Sequence, residues 1–187
     1  MFKAMAKVMI EAVPAAVLAA ALLFAGCAQP WRQKLAKELP VMGHRNWIIV
    51  ADSAYPSQSG KGIETVYTGA GQLEAVEAVL KAIDATGHIR AKIYVDGEMK
   101  YISEKDAPGI EAYRKELFKL LGDRPVNVVM HEEVFPKLEE AAKLFNVLIL
   151  KTDMTLPYTS VFVELDCGYW SSDAEKRLRD AIGKAKK

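Results

Sequence analysis

The sequence predicts a single three-layer α/β domain, in which helices cover both faces of a mixed sheet of about five to six strands. Short apolar runs alternate along the chain with segments whose apolar residues recur at helical spacing. Turn-forming residues mark the boundaries: Gly87 and Gly122 follow two of the helical patterns, and Pro108 precedes one. Alternation of strands and helices is typical of α/β domains.

The strands are predicted from apolar alternation or from short, continuous apolar runs. In chain order they cover residues 47–52, 64–68, 88–95, 126–130, 147–150 and 161–165. In the third strand, Ile89, Ala91, Ile93 and Val95 alternate with other residues and therefore share one face. The run that begins at Trp47 is continuously apolar, as expected for a strand buried on both faces.

The helices are predicted from apolar residues three and four positions apart. They cover residues 31–39, 73–83, 108–121, 132–145 and 173–185. The second is marked by Leu73, Val76, Val79, Leu80 and Ile83. The last is rich in Lys, Arg and Ala, and we expect its Leu178 and Ile182, four residues apart, to face inward.

Residues 1–27 have the pattern of a targeting segment and leave residues 28–187 as the folded domain. Lys3 and Lys7 precede a nearly continuous apolar run, residues 13–25, which ends in Ala-Gly-Cys. A cysteine at this position is typical of a bacterial lipoprotein signal, in which Cys27 becomes the lipidated first residue. The alternative is an uncleaved membrane anchor. Both predict an exported protein attached to a membrane.

The composition of the remaining chain excludes several function classes. Without Lys3, Lys7 and Glu11, the 25 basic and 24 acidic residues become 23 of each, so the net charge is zero. No basic stripe is present, and we expect no nucleic-acid partner. Once Cys27 is lipidated only Cys167 remains, so no intrachain disulfide can form.

No sequence motif indicates a metal or a cofactor. The three histidines, His44, His88 and His131, are far apart in sequence, and no pair has metal-ligand spacing. The stretch 57–62 lacks the first glycine and the hydroxyl residue of a phosphate loop. We therefore expect neither a metal nor a cofactor.

His44 and Asp52 are the first candidate site residues. They flank the apolar run that begins at Trp47, and they lie eight residues apart. They can meet only if Arg45 and Asn46 turn the chain back or if another chain supplies one of them. Carboxylates that follow a buried strand commonly bind ligands in α/β proteins.

Two further candidate sites lie downstream. His131 follows the strand 126–130 and begins a helix, where the helix dipole favours a neutral imidazole. Lys137 lies one to two turns further on. The stretch from Leu156 to Ser160 precedes the last strand and contains Tyr158.

These three motifs, in this order, resemble those of the RbsD/FucU family, the D-ribose pyranases and L-fucose mutarotases. The resemblance spans roughly residues 39–168 and rests on Gly43-His44 with Asp52 and Pro56, on His131 with its acidic followers, and on Pro157-Tyr158. It implies a ring-forming homo-oligomer that binds a monosaccharide. It also implies a substrate-binding Asn where this chain has Ser160, and a basic residue for which Lys137 is the candidate.

The resemblance predicts an isomerase that interconverts the anomers or ring forms of a sugar. His44 would be the main acid/base, and Asp52 would orient it or bind a hydroxyl. His131 and Tyr158 would share the second proton transfer or hold the sugar, and Ser160 would add a weaker hydrogen bond. The alternative is a lipoprotein that binds a monosaccharide without catalysis, which Ser160 and the export signal favour.

Overall fold

The computed structural model describes residues 29–185, so the predicted signal segment and Cys27 lie outside the described residues. The elements are α1 (Pro30–Glu38), β1 (Trp47–Ala51), β2 (Ile63–Tyr67), α2 (Gln72–Asp84), β3 (Ile89–Asp96), a 3-10 helix (Gly97–Tyr101), α3 (Ile110–Leu121), β4 (Val126–Val129), α4 (His131–Ala142), β5 (Val147–Lys151), β6 (Val161–Cys167) and α5 (Ser172–Ala185). None of the helices in this part of the chain is long and apolar enough to cross a membrane.

The six strands form one mixed sheet in the order β2-β5-β1-β6-β3-β4. Strand β6 runs antiparallel to both of its neighbours, β1 and β3, and the other pairings are parallel. The carboxyl ends of β1 to β5 and the amino end of β6 therefore lie at the same edge of the sheet. We call this the carboxyl edge.

Helices cover both faces of the sheet, which confirms the predicted three-layer α/β fold. On one face, Ile48, Val50 and Leu148 pack in a core with residues of α1, α2 and α3. On the other face, Ile49 and Phe162 pack with residues of α4. Because successive residues of a strand point to opposite faces, β1 contributes to both cores and is buried along its whole length.

The element boundaries agree with the predictions to within a few residues, with two differences in detail. Helix α3 begins at Ile110 rather than at Pro108, because Gly109 adopts a left-handed conformation with φ of 97°. The prediction that Leu178 and Ile182 face inward is wrong, since their exposed fractions are 42% and 38% and no residue of α5 is buried. The start of α5, at Ser172 and Asp173, lines a groove with Arg90 and Lys92 of β3.

Candidate functional site

The carboxyl edge gathers polar side chains from four segments that are distant in sequence. Asp52 follows β1, Asp96 ends β3, His131 begins α4 directly after β4, and Ser160 precedes β6. The sheet register brings them together, because Val161 pairs with Val50 on one side and with Val95 on the other. This edge therefore contains four of the predicted site residues, Asp52, His131, Tyr158 and Ser160.

Asp52 is held by the chain around it. Its Oδ2 accepts a 2.8 Å hydrogen bond from the Ser160 hydroxyl, and its Oδ1 accepts one of 2.9 Å from the Ala54 N–H. The Ser160 Oγ in turn lies 3.2 Å from the Asp52 N–H and accepts from it. Ser160 is fully buried. Its hydroxyl is thus occupied by Asp52, and Ser160 fixes the direction in which that carboxylate points.

His131 lies against a buried carboxylate that the sequence analysis missed. Its Nδ1 is 3.0 Å from Asp96 Oδ2, and the Asp96 side chain has no exposed surface. The two groups are close but poorly aligned, so that neither Asp96 oxygen nor His131 Nδ1 makes a well-directed hydrogen bond. Both oxygens of Glu98 lie 3.0 Å from the backbone N–H of His131 and accept its proton, which caps α4.

Burial raises the pKa of Asp96 to about 6 from its ordinary value of 3.8. The proximity of His131 opposes this shift, whereas the negative charges of Glu98 and Asp52 add to it. Asp52 is therefore close enough to Asp96 for their charges to interact. The rule that selected Asp52, a carboxylate placed directly after a buried strand, would also have selected Asp96.

Aromatic rings surround the His131 imidazole. Tyr158 meets it edge-on with ring centroids 5.3 Å apart, and Phe135 does so at 4.8 Å. Tyr55 stacks on Phe135 at 5.9 Å, and burial raises the pKa of the Tyr55 hydroxyl. Tyr158 has a positive φ of 57°, a conformation rare for a bulky residue and often kept where function requires it.

One chain does not bring His44 to this edge. His44 is exposed before the amino end of β1, while Asp52 follows its carboxyl end, so β1 alone separates them by about 16 Å. Arg45 has a positive φ of 72°, but its N–H bonds to the Leu165 carbonyl, and the chain enters β1 without turning back. Of the two predicted routes, only contribution by another chain can pair His44 with Asp52.

Lys137 also lies away from Asp52 and His131. It is exposed on α4, six residues beyond His131, which is about 9 Å along the helix axis. It lines a groove with Arg45, Trp47 and Glu164, toward the opposite end of the sheet. In a single chain it is therefore separate from the group formed by Asp52, His131, Tyr158 and Ser160.

A second buried polar cluster lies at the same edge on the other face of the sheet, and all of its members are uncharged. The Gln72 Nε2 donates to the carbonyls of Val50 at 2.8 Å and Thr159 at 2.9 Å. The Thr152 hydroxyl lies 2.5 Å from Gln72 Oε1 and 2.9 Å from the Ala51 carbonyl. The Tyr113 hydroxyl donates to the Thr159 carbonyl at 2.8 Å. We call Gln72, Tyr113, Thr152 and Thr159 the glutamine cluster.

The remaining side chains that could bind a metal, His88 and Cys167, belong to the structural framework of the fold. The His88 Nε2 lies 3.0 Å from the Met42 carbonyl and ties the loop after α1 to the start of β3. Cys167 is a half-buried free thiol at the end of β6. Within residues 29–185 no group of three or more His, Cys, Asp or Glu side chains is arranged to hold a metal ion.

Comparison with known proteins places this chain in a family. Residues 31–167 match the model of the RbsD / FucU transport protein family. The chain is 27% identical over 130 residues to a D-ribose pyranase of Coprothermobacter proteolyticus, an alignment that covers 70% of this chain and 88% of that protein.

A solved structure shows the same fold. Bacillus subtilis RbsD, complexed with D-ribose, superposes with a TM-score of 0.51 at 21% identity, over 71% of this chain and 91% of that one. The fucose mutarotase of Streptococcus pneumoniae, in complex with L-fucose, has a TM-score of 0.48 at 22% identity with the same coverage. The family match extends from α1 to the end of β6 and so includes every element of the carboxyl edge. The chain therefore belongs to the RbsD/FucU family.

Proposed function

We propose that this protein is a monosaccharide isomerase of the mutarotase or pyranase type, which interconverts the anomers or ring forms of a sugar. The observation that carries the proposal is the convergence of Asp52, His131 and Tyr158 at the carboxyl edge of a chain that belongs to the RbsD/FucU family. The 27% identity to a D-ribose pyranase supports the same class of reaction.

The reaction needs few groups and no cofactor. Ring opening moves one proton from the anomeric hydroxyl to the ring oxygen, while the bond between the anomeric carbon and that oxygen breaks and a carbonyl forms. An acid and a base that titrate near neutral pH are sufficient. His131 carries the proton, the fixed Asp52 carboxylate accepts a hydrogen bond from a sugar hydroxyl, and Tyr158 holds the sugar beside the imidazole.

The direct test is the rate of anomer exchange of D-ribose and L-fucose, measured by saturation-transfer NMR. The wild-type protein should accelerate the exchange, and Asp52→Ala and His131→Ala should lower the rate by about 10²- to 10⁴-fold. Asp123→Asn, which changes an exposed carboxylate in the turn after α3, is the matched control and should keep the wild-type rate. A wild-type rate equal to that of buffer alone would refute the proposal.

His44 completes the site from a second copy of the chain. It is exposed at the opposite end of β1, so a head-to-tail contact between copies would carry it to a neighbouring Asp52, and such contacts close into rings. The test mixes two inactive variants, His44→Ala and Asp52→Ala. Random assembly should restore about a quarter of the wild-type rate, because one site in four receives both intact residues. A mixture that stays inactive would contradict a shared site.

Ser160 supports a second candidate function, a monosaccharide-binding protein without catalysis. The family resemblance implies Asn at this position, but here a shorter hydroxyl is occupied by Asp52. Such a protein would bind sugar with similar affinity in its wild-type and His44→Ala forms. Neither of these two forms would change the rate of anomer exchange. Calorimetric titration with ribose and fucose, run beside the exchange assay, distinguishes the two functions.

The proposed location is the periplasmic or extracellular face of a membrane, where lipid on Cys27 anchors the protein. The support is the sequence pattern of residues 1–27, and the zero net charge from Cys27 onward adds no attraction to anionic lipid. Cell fractionation of a Cys27→Ala variant tests this anchor. Release of the variant from the membrane fraction is expected, and retention equal to the native protein would favour an uncleaved anchor.

A further inference from the structure

Asp96 and His131 contain buried polar atoms that lack a well-directed hydrogen bond. Within residues 29–185, the buried side-chain nitrogens and oxygens without a well-directed hydrogen bond are Asp96 Oδ1, Asp96 Oδ2 and His131 Nδ1. All three belong to one pair of side chains, in which His131 Nδ1 and Asp96 Oδ2 lie 3.0 Å apart. Folded proteins rarely leave buried polar atoms without partners, and those that remain often mark a functional site.

We propose that Asp96 is the positioning residue of His131: it holds the imidazole by Nδ1, shares one proton with it, and leaves Nε2 as the nitrogen that exchanges protons with the substrate. This proposal rests on the proposed isomerase function and adds a residue and a role to it. Asp96 is fully buried and acts only through His131, whose side chain keeps 24% of its surface exposed.

The geometry explains why the contact suits proton transfer. At 3.0 Å the carboxylate and the imidazole are near enough to hold one proton in common once they align, and the low dielectric strengthens their attraction once the ring is charged. When Nε2 takes the anomeric proton of a sugar, the positive charge forms beside Asp96. When that proton passes to the ring oxygen, the pair returns to its starting state.

The surrounding groups act on the charge of Asp96 in opposite directions. Burial and neighbouring negative charges favour the proton on Asp96, while the imidazole favours a charged Asp96. The groups that interact with the Asp96 charge are His131 on α4, Glu98 on the 3-10 helix, Asp52 after β1, Tyr55 in the following loop and Tyr113 on α3. The two tyrosines stay neutral at assay pH because burial raises the pKa of each.

The test reads His131 directly, by ¹⁵N NMR of the ring nitrogens as a function of pH in the full chain without sugar. The chain has three histidines, and a His131→Gln variant identifies the signals of His131. In Asp96→Asn the protonation midpoint of His131 should fall by about 1 pH unit or more, because the ring loses its carboxylate partner. Asp123→Asn, the matched control, should leave the midpoint unchanged. An unchanged midpoint in Asp96→Asn would overturn the proposal.

The wild-type protein provides a second measurement that needs no variant to fold. The ¹³C signal of the Asp96 carboxyl and the ¹⁵N signals of His131 should change over the same pH range, as expected for two groups that share a proton. Independent titration of the two signals would overturn the proposal.

The kinetic measurement links the pair to catalysis. In Asp96→Asn the pH dependence of kcat should shift in the same direction as the His131 midpoint, while KM stays near the wild-type value. Asp96→Glu, which retains a carboxylate, should restore part of the shift. If Asp96→Asn changed the protonation midpoint of His131 but left the pH dependence of kcat unchanged, the role of Asp96 in the reaction would be overturned. A wild-type protein without activity would refute the proposed isomerase, while the NMR measurements would still decide the contact.

Discussion

Two buried polar clusters lie at the same edge of the sheet. The groups of one cluster are hydrogen-bonded, whereas buried atoms of the other lack a well-directed hydrogen bond. In the glutamine cluster, uncharged amide and hydroxyl groups meet backbone carbonyls at 2.8 to 2.9 Å, and the Thr152 hydroxyl also lies 2.5 Å from Gln72 Oε1. In the other cluster, Asp96 and His131 approach to 3.0 Å, yet neither finds a well-directed hydrogen bond at the buried atoms. One cluster is fully partnered and neutral, and the other is under-partnered and ionisable.

The difference indicates what each cluster does. The Gln72 amide ties the end of β1 to the segment before β6, and no group in the glutamine cluster needs to change its protonation state in order to remain bonded. This is how a structural network is built. The Asp96–His131 contact keeps two titratable groups in low dielectric, an arrangement that costs stability and is common where protons are transferred. The predictions below test this division.

The largest expected effect on the free energy of unfolding comes from the glutamine cluster. Gln72→Leu should lower the free energy of unfolding by about 4 kcal/mol, because the Val50 and Thr159 carbonyls lose a buried donor and the Thr152 hydroxyl loses an acceptor. Urea unfolding at pH 7 measures this loss. Gln58→Leu, which removes a single hydrogen bond of 3.3 Å to Tyr55, should cost less than about 1 kcal/mol. If Gln72→Leu and Gln58→Leu lost the same free energy of unfolding, the glutamine cluster would contribute no more to stability than the single hydrogen bond of Gln58.

The second prediction concerns the ionisable pair, Asp96 and His131. Here the substitution should raise the free energy of unfolding, whereas Gln72→Leu lowers it. The folded-state pKa of Asp96 is about 6, above the ordinary 3.8, so its ionisation destabilises the fold as pH rises through this interval. Between pH 4 and pH 7, the unfolding free energy of Asp96→Asn should therefore gain about 2 kcal/mol relative to wild type. Urea unfolding at several pH values checks this, with Asp123→Asn as the control. A difference that does not vary with pH would contradict the buried, destabilising carboxylate.

A smaller effect tests how far the glutamine cluster depends on each hydrogen bond. Tyr113→Phe removes the donor to the Thr159 carbonyl but leaves the bond from Gln72 to that same oxygen. The unfolding free energy should fall by about 1 kcal/mol and should not vary between pH 5 and pH 8. A loss as large as that of Gln72→Leu would mean that the hydroxyl, not the amide, holds this part of the edge.

The smallest effect uses the half-buried carboxylate of Asp166 to sharpen the contrast with the fully buried Asp96. Burial alone would raise the pKa of Asp166, but the Arg90 guanidinium and the Cys167 N–H outweigh it and hold that pKa below its usual range. Asp166→Asn should cost about 0.5 kcal/mol at neutral pH, since solvent screens the pair. The cost should shrink as the pH falls below about 3.8 and disappear only once the pH has passed the lowered pKa of Asp166 in the folded protein. A gain in stability at neutral pH would contradict this assignment.

Much of the fold and part of the site could be predicted because they depend on local patterns. Strand β1 is a continuous apolar run and is buried on both faces, and α2 carries its apolar residues at helical spacing and packs through them. The same reasoning failed at α5, where Leu178 and Ile182 have helical spacing but remain exposed. Periodicity shows that a helix has an apolar side, but not whether another element lies against that side.

The sequence by itself determined the α/β class, the family resemblance, the placement of Asp52 directly after a buried strand, and the placement of His131 at the start of the helix that follows β4. Only the tertiary structure decided which side chains meet there. Parallel pairing of β3 with β4 brings Asp96 to His131, and antiparallel pairing of β1 with β6 brings Ser160 to Asp52 across 108 residues. The physical reason is that a local pattern reports the burial of its own segment, whereas strand order depends on the packing of the whole chain. For the same reason, the length of β1 keeps His44 away from Asp52 in one chain, although the two residues are only eight positions apart.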